Sequence, residues 1–296
     1  MAQNGNSNTI TREYFDSLLL ETRFLNSDNP DTTFELYGDT SASPIMTAAL
    51  SHLSHMGSEG MAAGIAAGAK KAGCVFWYGA AEEEEIEMLA GTGARLIEII
   101  KPYKNREILY KKLAHAEKLG ALAAGIDIDH PFANDGSPDI VDDEEMKALT
   151  TAELAEIVKS TSLPIITKGV LSLYDAEESL KAGVKGMVLS HHNNRIEYAI
   201  PPVSILPDVA KLAGPDVPVF VDCMVQTGMD AFKALALGAK GVCIGRPLMT
   251  AYTKGGEDGV CEYLTKARDE LAKAMAYTGC VNLSKMDPGV IHRAKM

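Results

Sequence analysis

Residues 218–246, PVFVDCMVQTGMDAFKALALGAKGVCIGR, decide the fold. Two short runs rich in Val, Phe and Ile, PVFVDC (218–223) and GVCIGR (241–246), flank GMDAFKALALGA, which has helical spacing and closes on glycine. Runs of that length and composition read as strands, and a helix between two of them makes a strand–helix–strand unit. Working outward, the same alternation fills the chain from residue 43. SPIMTAA (43–49), CVFWYG (74–79), RLIEII (95–100), LAAGIDI (122–128), PIITKG (164–169) and GMVLS (186–190) are the other strands. Between them, SEGMAAGIAAGAKKAG opens on Ser58 and closes on Gly73, and NREILYKKLAHAEKLG opens on Asn105 and closes on Gly120. DAEESLKAG repeats the pattern of a capped start and a glycine stop.

Eight strand-then-helix units fit an α/β fold of one kind, a single (β/α)8 TIM barrel. A doubly wound open sheet competes, but it would carry G-x-G-x-x-G after its first strand, and AALSHLSHMGSEG (48–60) does not supply it. Residues 1–42 are polar and read as an N-terminal extension: a helix over TREYFDSLLLETRF (11–24), then an extended segment. Residues 43–296 form one barrel domain, since no linker-like stretch divides them. EEEE (82–85) suits a helix start, where acids favour the dipole. EDGVCEYLTKARDELAKAMAYTG (257–279) forms the last barrel helix, and KMDPGVIHRAKM is a peripheral tail.

With 296 residues, 46% of them hydrophobic, the chain can bury a large core. A net charge of −12 argues against nucleic acid or a membrane surface as partner. The opening MAQNGNSNTITREYF lacks the basic-then-apolar pattern of a signal peptide, and no apolar run reaches the length of a membrane span, so a cytoplasmic location is expected. The cysteines, Cys74, Cys223, Cys243, Cys261 and Cys280, form no C-x-x-C pair and read as reduced thiols.

Barrels of this kind gather their chemistry at the carboxyl ends of the strands. That rule selects Ala48, Ala49, Gly79, Glu98, Asp127, Asp129, Lys168, Ser190 to Arg195, Asp222, Gly245 and Arg246. The loops after the seventh and eighth strands often hold a phosphate; there Gly245 lets the backbone approach closely and Arg246 offers a planar fork. Lys168 can stabilise a developing anion, while His192 beside Arg195 suits an acid substrate, one moving a proton and the other holding a carboxylate. No metal is expected: His191 and His192 are adjacent and cannot easily turn both rings to one ion, and no other ligand lies at helical spacing.

VFVDCMVQTGMDAFKALALGAKGVCIGRPLM (219–249) closely resembles the FMN-dependent 2-hydroxy acid oxidases and dehydrogenases, the family of glycolate oxidase and lactate oxidase. ITKGVLSLYDAEESLKAGVKGMVLSHHNNR (166–195) is similar to that family's stretch from its flavin lysine to its S-N-H-G-G-R motif. RDELAKAMAYTGCVNL (268–283) is similar to its final helix, and SPIMTAALSHLSHMGSEG (43–60) matches more weakly. The resemblance implies an FMN-binding barrel that oxidises a 2-hydroxy acid or related alcohol and assembles as a homo-oligomer, often a tetramer. It implies that His192 is the base, Asp127 its orienting carboxylate and Lys168 the cation near flavin N1. Arg195 would bind the substrate carboxylate, with Glu98 and His191 beside it. Ala48, Ala49, Gly79, Glu98, Lys168, Ser190, Asp222, Met224, Gln226, Gly245 and Arg246 would contact the cofactor.

The sequence also departs from the family. The two glycines of S-N-H-G-G-R are Asn193 and Asn194, and D-G-G-V-R reads Asp222-Cys223-Met224-Val225-Gln226, with the arginine lost. Glu98 and Ile100 stand where a glutamine and a substrate tyrosine are usual, and the family's N-terminal tyrosine has no match. The loop HPFANDGSPDIVDDEE (130–145) is acidic and lacks the second substrate arginine. The substrate clamp is thus rebuilt, which favours a larger, neutral or cationic substrate. An FMN barrel with isomerase-like chemistry, or one without turnover, stays open at this point.

Overall fold

A computed structural model describes residues 5–53 and 60–294. Its centre is a sheet of eight parallel strands: β1 Ile45–Thr47, β2 Val75–Gly79, β3 Arg95–Ile100, β4 Ala123–Asp127, β5 Ile165–Val170, β6 Gly186–Leu189, β7 Val219–Val221 and β8 Gly241–Ile244. The spatial order is β1-β8-β7-β6-β5-β4-β3-β2. The remaining seam, between β1 and β2, is joined by other means. Leu50 bridges Tyr78 in parallel, Gly79 N–H donates to the Leu50 carbonyl at 3.2 Å, and Trp77 N–H donates to Thr47 Oγ1 at 2.8 Å. The expected barrel is the fold, and each of the eight apolar runs holds one of its strands, with β5 running one residue past its run to Val170.

The helices are α1 Ser7–Ser17, α2 Met61–Lys71, α3 Glu83–Gly91, α4 Arg106–Lys118, α5 Thr151–Lys159, α6 Leu173–Ala182, α7 Pro202–Ala213, α8 Gly228–Ala236 and α9 Arg246–Thr278. Their ends follow local chemistry. Asn105 accepts from Glu107 N–H, Ser172 accepts from Asp175 N–H, and Thr227 forms a capping box with Asp230. Glu82 precedes α3, as the acidic run suggests. Ser58, read as the start of α2, lies outside the described residues; the helix as described begins behind Gly60. Non-helical Gly255 and Gly256 break α9 into a short piece directly after β8 and a long outer piece matching the expected 257–279.

The barrel interior is filled by Met46, Trp77, Ile99, Ile166, Val188 and Phe220, among others, with Trp77 and Phe220 meeting edge-to-face at 5.4 Å. Phe34 and Leu36 join this cluster from a hairpin, Phe34–Leu36 with Asp39–Ser41. The hairpin sits at the amino ends of the strands, where Asp39 pairs with Arg95 and the Tyr37 hydroxyl donates to the Lys185 carbonyl. It plugs the barrel floor and leaves the opposite mouth for chemistry.

Two expectations need correction. The N-terminal helix is Ser7–Ser17, capped by Asn6, and not 11–24. Its supposed second half, Leu18–Leu20, is a strand paired antiparallel with Ile291–Arg293, because three consecutive leucines at a sheet edge gain more from pairing than from continuing a helix. For the same reason the C-terminal tail is not peripheral: it supplies that partner strand, and Val290 is fully buried.

Candidate active site

Period two along the strands fixes which side chains reach the mouth. Ile166 and Phe220 belong to the interior, so Lys168 and Asp222, two residues on, face the same way. In β3 the inward residues are Ile97 and Ile99, which makes Lys101 the next. A bulge shifts the β5–β6 register at Gly169. Gly169 has φ +92°, and a Cβ there would lie 2.3 Å from Asp129 Cγ. Glycine is what lets Asp129 enter beside Lys168.

These residues form a buried chain of alternating charge. Asp127 Oδ2 pairs with Lys101 Nζ at 2.7 Å, and Asp127 Oδ1 with Lys168 Nζ at 2.9 Å. Burial alone would raise the Asp127 carboxyl, but the two ammonium groups outweigh it and hold it well below its usual range. Burial likewise disfavours the Lys168 cation, yet Asp127, Asp222 and Asp129 keep it above its ordinary value. His192 Nδ1 lies 3.1 Å from Asp129 Oδ2, 3.2 Å from Lys168 Nζ and 3.8 Å from Asp127 Oδ1. The carboxylate in hydrogen-bond contact with His192 is therefore Asp129, while Asp127 sits behind Lys168. Asp129 is held below its usual value because the His192 hydrogen bond overcomes burial.

The other ring nitrogen, His192 Nε2, lies 3.1 Å from His130 Nε2, with the rings T-shaped at 4.3 Å. His130 Nδ1 faces Asp139 Oδ2 at 3.0 Å. Burial first, and then the Lys101 charge, push His130 down to about 3, so it is neutral at pH 7. Arg195 completes the group: NH2 contacts Asp139 Oδ2 at 2.6 Å and donates to the Phe132 carbonyl, and NH1 lies 3.4 Å from His130 Nε2.

His192, Asn193 and Asn194 have φ of +47°, +57° and +68°. Asparagine is among the few residues that occupy this left-handed region readily, so the turn survives its missing glycines. The amides also anchor α1. Asn194 Oδ1 accepts from Ser7 N–H at 2.6 Å, and Asn193 Oδ1 accepts from Asn8 Nδ2 at 2.9 Å. Cys223 and Met224, where the resembling family has glycines, are likewise at +63° and +61°.

A cavity of about 630 Å³ opens beside this turn. It is lined by Ala48, Ala49, Lys168, His192, Asn193, Asp222, Met224, Gln226, Gly245 and Arg246 from the sequence reading, and by Asn8 and Cys243. No side chain caps α9, whose first residue is Arg246, and Arg246 makes no ion pair among the described residues. An uncapped helix start with a free guanidinium is suited to an anion.

Four of the expected residues lie elsewhere. Glu98 points to the outer face of the barrel, because Ile97 and Ile99 take the inward positions; it is 3% exposed, and its Oε2 has no hydrogen bond among the described residues. Burial raises its carboxyl to about 7. It touches neither substrate nor cofactor space, and Ile100 packs outward as well, against Leu109 and Leu113. His191 turns away to α1: Asn194 N–H donates to its Nδ1, and Nε2 lies 3.0 Å from Thr11 Oγ1. Gly79 meets the Ile99 carbonyl and does not line the cavity. Ser190 also stays outside it; its Oγ accepts from His192 N–H at 3.0 Å and so positions the base.

Sequence reasoning missed Lys101, His130, Asp139 and Asn8. Lys101 shares the inward parity of Ile97 and Ile99, and His130 directly follows the fourth strand, so both carried a signal; Asp139 and Asn8 carried none. His130 also bears on metal binding. Asp127, His130 and His192 bring ligand atoms within 4.8 Å of one another. Both Asp127 oxygens are taken by ammonium groups, which would repel a metal cation there.

Comparison with known proteins agrees with this architecture. The family model described as FMN-dependent dehydrogenase matches residues 1–148 and 134–293. Glycolate oxidase 2 of Oryza sativa subsp. indica is 30% identical over 296 residues, covering 88% of this chain and 80% of the relative. Glycolate oxidase of Spinacia oleracea is 31% identical over 315 residues, covering 93% and 84%. Among solved structures, a mandelate oxidase mutant with a monooxide FMN adduct superposes with a TM-score of 0.87 at 25% identity, covering 98% of this chain and 92% of that one. A mandelate oxidase with (S)-2-phenylpropionate superposes at 0.88 and 24% identity, covering 99% and 92%.

Proposed function

The chain belongs to the FMN-dependent dehydrogenase family, and from that premise we propose that it uses FMN to oxidise a 2-hydroxy acid to the 2-oxo acid, with His192 as base. The observation that carries the reading is the convergence of His192 and Lys168 on one cavity, with Asp129 and Asp127 behind them.

The cavity fits the cofactor. Its volume is within the usual range for small-molecule sites. Apolar Ala48, Ala49, Met224 and Cys243 offer a surface for a flat ring, and Arg246 with the uncapped start of α9 offers a phosphate seat. A Cβ on Gly245 would lie 3.3 Å from Ala48 Cβ and narrow the cradle. Asp222 and Gln226 complete the set that would hold FMN. When bound, FMN supplies a two-electron acceptor.

The protein's residues do the rest. His192 Nδ1 faces Asp129, so Nε2 is the nitrogen that takes the carbinol proton. Asp129 then accepts from the imidazolium Nδ1–H, a charge-assisted contact worth roughly 1.5–3 kcal/mol. Lys168 stays cationic and offsets negative charge gathered beside it on reduction. Arg195 holds the substrate carboxylate, and Asp127 keeps Lys168 in place. The relatives reported above are oxidases, so neither isomerase-like chemistry nor loss of turnover is favoured.

The proposal treats residues 1–42 as an extension of one barrel domain over 43–296, supported by the plug of Phe34 and Leu36. It further assigns a homo-oligomer, a tetramer on the family resemblance, in the cytoplasm. Purified protein should show a flavin spectrum that some 2-hydroxy acid bleaches without oxygen. His192→Asn should keep the spectrum and slow bleaching by roughly 10²–10⁴-fold. A bound flavin that no 2-hydroxy acid reduces would sink the reading.

A further inference from the structure

A 2-hydroxy acid would present two groups to this site, its hydroxyl to His192 Nε2 and its carboxylate to Arg195. Both places are taken by one loop of the protein. His130 Nε2 stands 3.1 Å from His192 Nε2, and the Asp139 carboxylate stands 2.6 Å from Arg195 NH2. The same Asp139 oxygen lies 3.0 Å from His130 Nδ1, so imidazole and carboxylate form one unit.

The loop holds Asp139 firmly at its backbone. Asp139 N–H donates to the Pro131 carbonyl at 3.1 Å, and the Asp139 carbonyl accepts from Met146 N–H at 2.8 Å. A hairpin of Ile140–Val141 with Glu144–Glu145 follows directly. The carboxylate is half-shielded, with 18% of the side chain exposed. Burial works to raise it, but Arg195 and His130 overcome that and keep it ionised.

Charge makes the occupation consequential. Lys101 and Lys168 are both engaged by Asp127, so neither offers a free cation to an incoming acid. Residues 129–145 carry Asp129, Asp135, Asp139, Asp142, Asp143, Glu144 and Glu145 with no lysine or arginine. An anionic substrate must therefore exchange with Asp139 at Arg195, under the field of the same loop. An uncharged amide meets no such competition, because its N–H can donate to the Asp139 carboxylate instead of replacing it.

We propose that Asp139 is a specificity-determining residue, an internal carboxylate that competes with the substrate's carboxylate for Arg195. The proposal rests on the oxidase reading above and adds the group that sets the penalty on free acids. It follows that the protein accepts a 2-hydroxy amide nearly as well as the matching acid, and that removing the Asp139 charge restores preference for the acid.

The test uses holoprotein with Asp139→Asn, and with Asp139→Ala as a second variant should the first melt at a lower temperature. Calorimetric titration with oxalate, which has no carbinol to oxidise, reads the anion site without turnover. Oxalate should bind at least about tenfold tighter to the variant, the range expected for releasing a charge-assisted contact. Arg195→Leu added to Asp139→Asn should cancel the gain. In turnover, KM for mandelate should fall at least about tenfold while KM for mandelamide stays within twofold. An unchanged oxalate affinity overturns the proposal. So does an equal gain for acid and amide, which would mark the loop as a steric plug without charge selection. Failure of the oxidase reading shows separately, as a flavin that neither compound reduces in either protein, with the oxalate result still readable.

Discussion

Replacing Glu98 by glutamine should remove a pH dependence from the stability of the fold. Glu98 lies on the outer face of β3, 3% exposed, with Oε2 unpaired among the described residues. Burial, with a smaller contribution from Glu83 and against the pull of Lys112, raises its carboxyl from 4.5 to about 7. Between those values the native protein keeps a proton that the unfolded chain has released. The stabilisation is complete below pH 4.5 and is lost as pH rises through 7. A shift of about 2.5 units at 1.36 kcal/mol each amounts to roughly 3 kcal/mol. At pH 5 wild type and Glu98→Gln should unfold at similar guanidinium concentrations, since a neutral acid and an amide are near equals there. By pH 8 the variant should be the more stable by about 3 kcal/mol. Parallel stability curves from pH 5 to 8 would refute the reasoning, because Glu98 would then be solvated or paired when ionised.

Two further substitutions test other parts of the site. Gln226 lines the cavity on the loop between β7 and α8, its N–H donating to Asp230 and its carbonyl accepting from Tyr263. Gln226→Arg should add a charge-assisted phosphate contact of roughly 1.5–3 kcal/mol, tightening FMN binding about tenfold or more in a fluorescence titration; an unchanged Kd would place Gln226 away from the phosphate. Asn194→Ala loses the acceptor for Ser7 N–H and puts alanine at φ +68°, which should cost about 2 kcal/mol in denaturant unfolding. Asn194→Gly keeps the backbone relaxed and should cost only about half as much; equal losses would show that the φ angle contributes nothing.

The barrel was legible because each strand is a short, nearly continuous apolar run, buried on both faces. That same continuity hid the facing of β3. In RLIEII every position but Arg95 is buried, so the sequence carries no alternation to tell Glu98 from Ile99. The family resemblance then assigned Glu98 inward, whereas the fold turns it outward and brings in Lys101. Loops hid more. His130 and Asp139 lie nine residues apart, and their meeting with Arg195 depends on a hairpin and a bulge that no periodicity announces. Leu18–Leu20 was misread for a related reason: its partner strand lies at the other end of the chain, where local propensity says nothing about pairing.

The two halves of the site differ in how freely they can change. On the cofactor side, Lys101, Asp127 and Lys168 are each about 5% exposed or less and satisfy one another. Removing one member leaves a buried charge uncompensated, which typically costs 3–5 kcal/mol, so this half is tied to the stability of the barrel. On the substrate side, Arg195 and Asp139 are partly exposed and sit on loops, where a charge-assisted contact of roughly 1.5 kcal/mol can be exchanged without unfolding anything. The asparagine turn joins the halves: it holds His192 by its backbone and docks α1 through Asn193 and Asn194. Docking α1 also brings Asn8 to the cavity wall with its Oδ1 unpaired among the described residues. A polar group in that state favours a ligand able to donate a hydrogen bond to it. The rigid half thus fixes where electrons and the proton move, and the exchangeable half decides which alcohol is brought there.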